Sequence, residues 1–301
     1  MNRALVLEAF GSPCMTISMS KLARYGSGAA LLSAPWVAQA AWELNLTKGV
    51  TPYSETVYHL HMMILWICVI TGVLVFAAIF YSILKFRKSK GAVAAQWHES
   101  TLVEFCWTAV PAVILVVMAV PATKALIMME DVSNSAMTIK VTGYQWRWRY
   151  DYVNEGIGYY SALAKPSDAA RQLGSGIDPE TVENYLLEVD NELVVPVGQK
   201  IRFLTTAADV IHAWWVPALG WKRDAVPGYI NESWALIKEP GIYRGQCAEL
   251  CGKDHGFMPV VVRALPEADY KAWVEKMKAS QAPATAAAAD DGREVAVAAA
   301  R

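Results

Sequence analysis

The sequence predicts a membrane-anchored protein in which a hairpin of two transmembrane helices precedes an all-β domain of the sandwich or barrel type. Apolar residues make up 54% of the 301-residue chain, which is high for a soluble protein. Two long segments in the first half carry no charge, and the second half divides into short strand-like segments separated by turns. The formal net charge is −1, so no basic excess indicates a nucleic-acid partner.

The N-terminal segment has the pattern of a secretory signal peptide. Lys21 and Arg24 precede a short apolar stretch at 29–32, and the small residues Ala38 and Ala40 follow, as at a cleavage site. We therefore expect a signal peptide over residues 1–40. The alternative is an apolar N-terminus that is not cleaved.

Two uncharged segments, 62–84 and 105–123, are each long enough to cross the hydrocarbon core of a membrane as a helix. We predict helices at about 60–84 and 102–127, within a hairpin that spans 41–130. A pair of buried core helices is the alternative.

The connection between the two helices is basic. It carries Lys85, Arg87, Lys88 and Lys90 against a single acid, Glu99. Because basic loops are retained on the cytoplasmic side of a membrane, both flanks of the hairpin are expected on the opposite side.

Residues 131–280 are predicted to form the β domain. In residues 144–152 every even position is aromatic and every odd position is polar, which predicts a strand with one buried face. A short helix is expected at 266–280, and the alanine-rich residues 281–301 are expected to be a disordered tail. Further strands are predicted at 185–189, 193–197, 200–206, 210–216, 234–238 and 259–265.

A motif with metal-binding character lies near the end of this domain. Cys247, Cys251, His255 and Met258 bring two thiols, an imidazole and a thioether into one short segment. Thiolate, imidazole and a weak methionine form the ligand set of copper electron-transfer sites. A mononuclear site needs one cysteine, whereas two cysteines could bridge two metal ions. His212 is the other histidine of the β domain, and we predict it as the second imidazole.

Two other sites remain open on these residues alone. Cys247 and Cys251 could form a disulfide, because an extracytoplasmic compartment is oxidising. Two cysteines and two histidines are also a zinc ligand set. Met258 favours copper, because a thioether is a soft ligand that zinc seldom uses. Taken singly, a methionine or a histidine is more often part of a core.

Seven segments together resemble subunit II of the aa-type haem–copper cytochrome c oxidases, over about residues 50–275. The resemblance implies a cupredoxin-like, Greek-key sandwich at 131–280, a dinuclear copper centre (CuA), and a place in the oxidase beside subunits I and III. The matching segments are Trp107-Thr-Ala-Val-Pro111, Gly143-Tyr-Gln-Trp-Arg-Trp148, Leu187-Glu-Val-Asp-Asn191, Asp209-Val-Ile-His212, Val216-Pro-Ala-Leu-Gly220, Asp224-Ala-Val-Pro-Gly228 and the loop 247–259.

The resemblance also assigns the copper ligands. Cys247 and Cys251 would bridge two coppers, and His212 and Met258 would complete the first. His255 and a backbone carbonyl of the loop would complete the second.

Three residues have roles that the resemblance alone assigns. Glu249 would supply the loop carbonyl, and its carboxylate would point to a magnesium or manganese site shared with subunit I. Trp146 would be the point at which electrons arrive from cytochrome c; the alternative is a core aromatic. Glu104 would lie near the mouth of a proton pathway into subunit I; the alternative is an acid at a helix end.

The implied function is to accept electrons from reduced cytochrome c at CuA and to pass them to haem in subunit I, where oxygen is reduced to water and protons are pumped. The expected location is a bacterial inner membrane, with the copper domain and both mature termini on the periplasmic side. A quinol-oxidase subunit of the same fold would lack the copper ligands, which are present here. A copper carrier would expose an exchangeable site, whereas ligands from two distant segments are locked by folding.

The charges near the expected docking site depart from the family pattern. Arg147 stands where family members often have an aromatic residue, and Arg149 adds a second positive charge. An acidic face would suit a lysine-rich cytochrome c, but the nearby acids are few: Asp151, Glu155 and Asp209. We therefore expect a membrane-bound or less basic c-type cytochrome as the donor.

Overall fold

The computed structural model describes residues 45–96 and 98–281. The predicted signal peptide at 1–40 lies outside the described residues, and so does the predicted tail at 281–301 apart from its first residue.

Two long helices, α1 (Pro52–Lys85) and α2 (Thr101–Glu130), form the hairpin. They contain the predicted spans 60–84 and 102–127 and extend beyond them. The most apolar window of α1 buries none of its residues, and that of α2 buries 6%. A core helix would bury its apolar side chains, so these are not the core helices considered as the alternative. Their exposed apolar surface fits a lipid environment.

Ten strands of the described chain form two five-stranded sheets that pack as a sandwich. The strands are β1 (Met137–Tyr144), β2 (Arg147–Tyr152), β3 (Ile157–Ser161), β4 (Leu193–Pro196), β5 (Lys200–Ala207), β6 (His212–Val216), β7 (Trp221–Ala225), β8 (Asn231–Leu236), β9 (Gly241–Cys247) and β10 (Pro259–Leu265). The sheet orders are β3-β2-β1-β5-β8 and β4-β10-β9-β6-β7. This arrangement confirms the sandwich and excludes the closed barrel.

Two short helices complete the domain. The first, α3 (Lys165–Ala170), lies in the connection after β3. The second, α4 (Glu267–Gln281), follows β10 and confirms the helix predicted at 266–280.

Aromatic side chains fill the space between the sheets. The predicted alternation is confirmed in β2, where Trp148, Tyr150 and Tyr152 are at most 1% exposed. Trp214 of β6 stacks on Phe203 of β5 with 5.4 Å between ring centroids. Because each such side chain stabilises the fold by about 1.5–3 kcal/mol when buried, this cluster sets which face of each strand points inward.

One predicted strand is wrong. Residues 185–187 form a turn followed by a bend, because Asn184 (φ 49°) and Leu186 (φ 61°) adopt left-handed backbone conformations that interrupt an extended strand. Val189 makes only an isolated bridge with Leu163. Strands β1, β3, β7 and β9 were not predicted; in the last three, glycines and charged residues obscure the alternation.

The β domain packs closely against the start of α1. The hydroxyl of Thr51, the N-cap residue, accepts a hydrogen bond from Ser54 N at 3.0 Å and donates one to the Leu219 carbonyl at 2.9 Å. At the adjacent Gly220, a Cβ atom would lie 2.4 Å from Ser54 Cα. Glycine is therefore required where the sandwich meets the helix.

Replacing Gly220 by alanine is expected to loosen this junction. Gly220 has a φ of +84° and Gly228 a φ of +77°, so alanine at either position costs about 1–2 kcal/mol of left-handed strain. Only at Gly220 would the new Cβ also clash with α1, since nothing lies within 4 Å of that position at Gly228. In thermal unfolding of the full-length protein in detergent, the melting temperature should fall further for G220A than for G228A. An equal decrease in melting temperature for the two variants would contradict the close packing of Gly220 against α1.

Candidate metal centre

The first strand of the site positions a buried histidine. His212 begins β6 and is fully buried. Its ring lies against β1, where a Cβ on Gly143 would come within 2.6 Å of His212 Cδ2. Trp148 contacts the same ring edge-to-face at 5.8 Å between centroids. The imidazole is therefore confined to one position by its neighbours.

Strands β9 and β10 hold the two ends of the cysteine-containing loop. Cys247 ends β9, Met258 directly precedes β10, and the Cys247 N–H donates to the Met258 carbonyl at 2.9 Å. The side chains of Cys247, Cys251 and Met258 are at most 3% exposed. Antiparallel pairing thus closes the loop and places its sulfur-containing side chains inside the domain.

The predicted cysteine and histidine donor atoms and the Glu249 carbonyl lie close together at this loop. The two cysteine Sγ atoms lie 3.8 Å apart. His212 Nδ1 is 3.9 Å from Cys247 Sγ, and His255 Nδ1 is 3.6 Å from Cys251 Sγ. The Glu249 carbonyl oxygen is 3.4 Å from Cys247 Sγ. Both histidines therefore turn the same ring nitrogen toward the sulfurs.

The sulfur–sulfur distance excludes a disulfide in this structure, because a disulfide bond is about 2.05 Å long. It suits shared metal binding, since metal–thiolate bonds of about 2.3 Å let one ion contact both sulfurs. The ligand atoms of His212, Cys247 and Cys251 all lie within 4.8 Å of one another. Two thiols, imidazoles and a buried methionine at the loop's end form a soft donor set that fits copper.

The two thiols differ in acidity. Burial raises the pKa of Cys247, but hydrogen bonds with His212 and with backbone groups of Glu249 and Ala213 outweigh it and lower that pKa to about 7. Burial and the neighbouring Cys247 thiolate raise the pKa of Cys251 to about 12. Burial lowers the pKa of His212, but hydrogen bonds to Cys247 and Asp209 raise it overall. One thiolate therefore forms readily, and the second is opposed by the first.

Trp146 lies in the corner between β1 and β2, beside the loop. The predicted strand at 144–152 is interrupted here, so that β2 begins only at Arg147. The half-buried Trp146 donates from its indole Nε1 to the Cys251 carbonyl at 3.3 Å, and Gln145 Nε2 donates to the same oxygen at 2.9 Å. Trp146 therefore lies between the cysteine loop and solvent rather than in the core.

The two predicted acidic residues lie apart from the sulfurs. Glu249 is half-buried in the loop, and within the described residues its carboxylate takes part in no hydrogen bond or ion pair. Glu104 is exposed in the first turn of α2. It lies 26 residues before Glu130, or roughly 40 Å along the helix, and is not brought to the site.

Sequence reasoning missed the residues that support the donor atoms. Asp209 accepts a hydrogen bond from His212 Nε2 at 2.9 Å. Gln145 binds the loop carbonyl, and Gly143 makes room for the imidazole. The available signal was weak: an acid three residues before a histidine, and polar or small residues at a strand end.

Comparison with known proteins identifies relatives along most of the chain. Residues 137–265 match the family described as cytochrome c oxidase subunit II, periplasmic domain, and residues 39–125 match the transmembrane domain of the same subunit. The probable cytochrome c oxidase subunit 2 of Rickettsia prowazekii is 37% identical over 235 residues, which cover 78% of this chain and 72% of the relative. Cytochrome c oxidase subunit 2 of Cyanidium caldarium is 38% identical over 240 residues, which cover 78% of this chain and 90% of the relative.

A solved structure is also similar. The crystal structure of the periplasmic domain of subunit II of cytochrome oxidase from Bradyrhizobium japonicum is 41% identical, and it covers 50% of this chain and 98% of its own, with a TM-score of 0.44.

Metal uptake by the metal-free protein should release more protons at lower pH. Cys251 is a thiol throughout the neutral range, whereas Cys247 loses its proton near pH 7. Because both must be thiolates to bind a metal, uptake near pH 8 should release mainly the Cys251 proton, and uptake near pH 6 that of Cys247 as well. His212, with its raised pKa, adds to this trend. Calorimetry in buffers of different ionisation enthalpy measures the number of protons released per metal bound. If that number does not increase from pH 8 to pH 6, the assignment of Cys247 and Cys251 as metal-binding thiolates is contradicted.

Proposed function

Because this chain belongs to the cytochrome c oxidase subunit II family, we propose that it is the subunit that receives electrons for the oxidase. It would accept them one at a time from a reduced c-type cytochrome at a CuA centre and pass them to haem in subunit I, where oxygen is reduced to water and protons are pumped. The observation that carries this proposal is the convergence of two free, buried cysteines with two histidines at 3.6–3.9 Å.

The distances among the cysteine, histidine and carbonyl donor atoms support the proposed ligand set, and Met258 is buried at the end of the same loop. Cys247 and Cys251 would bridge two coppers. The side chains of His212, His255 and Met258, together with the backbone carbonyl of Glu249, would complete the two metal sites. When bound, a copper pair in this donor set supplies one-electron redox chemistry. The protein contributes rigidity, because strand pairing closes the loop, and burial, which keeps water from the sulfurs.

Electrons would arrive at Trp146. This side chain is half-buried beside the loop, and its hydrogen bond to the Cys251 carbonyl joins the solvent-facing corner to a proposed copper ligand. A core position, the alternative considered for this residue, would leave it fully buried.

Two carboxylates are proposed for contacts with subunit I. The Glu249 carboxylate is not engaged by any described residue, so it is available for a magnesium or manganese ion shared across the interface. Glu104 lies at the end of α2 that adjoins the basic connection, where it would lie near the mouth of a proton pathway into subunit I. Subunit III is proposed as a further partner.

The proposed location is a bacterial inner membrane. The basic connection between α1 and α2 would lie in the cytoplasm, and the β domain and both mature termini in the periplasm. The two apolar helices are consistent with a membrane protein that has two spans.

Copper loading tests the central proposal. The full-length protein in detergent should bind two coppers, with an EPR spectrum of one unpaired electron shared equally by both. The variant M258L, which keeps the volume but removes the thioether, should alter that spectrum, whereas M277L in α4 should not. One copper with a blue-type spectrum, a tightly held zinc ion, or a Cys247–Cys251 disulfide would refute the CuA assignment.

The acids around Trp146 are already paired within the domain. Asp151 binds Arg149 at 2.9 Å, and Arg171 binds both Asp168 at 2.7 Å and Asp254 at 3.4 Å. Two positive charges lie over aromatic rings nearby: Arg147 is 4.2 Å from the centre of the Tyr160 ring, and Lys253 is 5.5 Å from that of Trp146. Among the described residues, these three acids are therefore paired with arginines rather than free to attract a strongly basic partner.

Electron transfer from a strongly basic soluble cytochrome c is therefore expected to be slow and to depend weakly on ionic strength. Replacing the exposed Arg147 by glutamate should speed it several-fold at low salt, because opposite charges steer the encounter. Stopped-flow oxidation of the cytochrome by the assembled oxidase, over a range of salt concentrations, measures both effects. A fast rate for the unmodified protein that falls steeply with salt would contradict the inference of a less basic or membrane-bound donor.

A further inference from the structure

The Asp209 carboxylate lies near the surface, but its hydrogen bonds point into the domain. Its side chain is 31% exposed. One oxygen, Oδ1, accepts from His212 Nε2 at 2.9 Å and from Val210 N at 2.7 Å, and the other, Oδ2, accepts from Gln145 N at 2.7 Å. Three donors therefore converge on a single side chain.

The first of these bonds orients a proposed copper ligand. His212 turns Nδ1 toward Cys247 Sγ, so Nε2 carries the proton that Asp209 accepts. A carboxylate in this position selects the tautomer, fixes the ring and raises the basicity of the ligating nitrogen. His255 differs, because within the described residues its Nε2 has no hydrogen-bond partner. The two imidazoles are therefore unequal.

The third bond holds the corner that carries Trp146. Gln145 is bound to Asp209 through its backbone and to the Cys251 carbonyl through its side chain. Trp146 donates to the same carbonyl. The loop approaches so closely that a Cβ on Gly252 would lie 3.1 Å from both Gln145 Nε2 and Trp146 Cζ2. One carboxylate thus joins the histidine ligand to the corner at which electrons would arrive.

We propose that Asp209 is a positioning residue that orients His212 toward the cysteine sulfurs and holds the Gln145 corner, so that Trp146 stays against the Cys251 carbonyl. This inference rests on the proposed CuA function. Because both carboxylate oxygens are engaged inside the domain, Asp209 acts on the site itself rather than as a free surface charge for a docking partner.

The test is D209N in the full-length protein. Three N–H donors surround the side chain, so the new amide N–H₂ must face at least one of them, which leaves either His212 or Gln145 without an acceptor. Copper affinity, measured by competition with a chelator, should fall about 10–100-fold. The reduction potential should rise, because a less basic imidazole stabilises oxidised copper less, and the EPR spectrum should change. D209E, which keeps the charge and both acceptors, should recover most of the affinity.

The matched control is D151N. Asp151 is equally exposed, at 30%, and it binds Arg149 rather than a proposed ligand. Its variant should leave affinity, potential and spectrum unchanged. If D209N leaves copper affinity, reduction potential and EPR spectrum as unchanged as D151N does, and alters only the salt dependence of electron transfer, then Asp209 is a docking charge. That result would overturn the proposal.

A readout without copper separates this inference from the proposed function. In the metal-free full-length protein, ¹⁵N NMR of labelled histidine, of which the chain has five, should show His212 with its proton on Nε2, and D209A, which removes both acceptor oxygens, should lose that preference. If the unmodified protein binds no copper pair, the CuA proposal fails, and the tautomer still decides the role of Asp209. An unchanged tautomer in D209A would overturn the positioning role.

Discussion

The pairing of β9 with β10 is the constraint on which the metal centre depends. The register places Gln246 opposite Pro259, so the bond from Cys247 N to the Met258 carbonyl closes the loop where the strands end. β9 also pairs with β6, which sets Trp214 opposite Cys247 and brings His212 to the same end of the sheet. Candidate donor groups from two distant segments meet because one central strand is shared by both pairings.

Electrostatics makes this arrangement costly without a cation. Two thiolates 3.8 Å apart repel each other by about 4 kcal/mol at an effective dielectric constant of 20, and burial adds to the cost of charging them. The opposite pKa shifts of Cys247 and Cys251 express this conflict. A bound metal ion would remove it by neutralising both sulfurs, so the sandwich holds in place a donor set that suits a positively charged occupant.

The same sandwich is joined to both helices of the hairpin. Lys238 pairs with Glu55 of α1 at 2.6 Å, and Arg223 pairs with Glu130 of α2 at 3.0 Å. The exposed pairs add little stability individually, but Trp234 Nε1 also donates to the Met128 carbonyl at 3.1 Å. The domain is therefore held at the helix ends remote from the basic connection, so the candidate metal centre lies at the opposite end of the hairpin from that connection.

The sequence by itself determined the kinds of groups available. Two uncharged spans, the aromatic alternation of β2 and the cysteine, histidine and methionine donors are properties of composition and local spacing, and each was predictable because hydrophobicity and ligand chemistry belong to the residue. Local pattern failed at 185–189, where positive φ angles ended an apparently suitable strand.

Only the tertiary structure decided how those groups meet. His212 precedes Cys247 by 35 residues, and its approach, the Asp209 bond to its far nitrogen, and the place of Trp146 beside the loop all depend on how β1, β6 and β9 are arranged. Nothing in the sequence indicates that Gly143 packs against the His212 ring, or that Gly252 packs against Gln145 and Trp146. The physical reason is that strand pairing and close packing are contacts between distant segments, and no local pattern specifies which segments will touch.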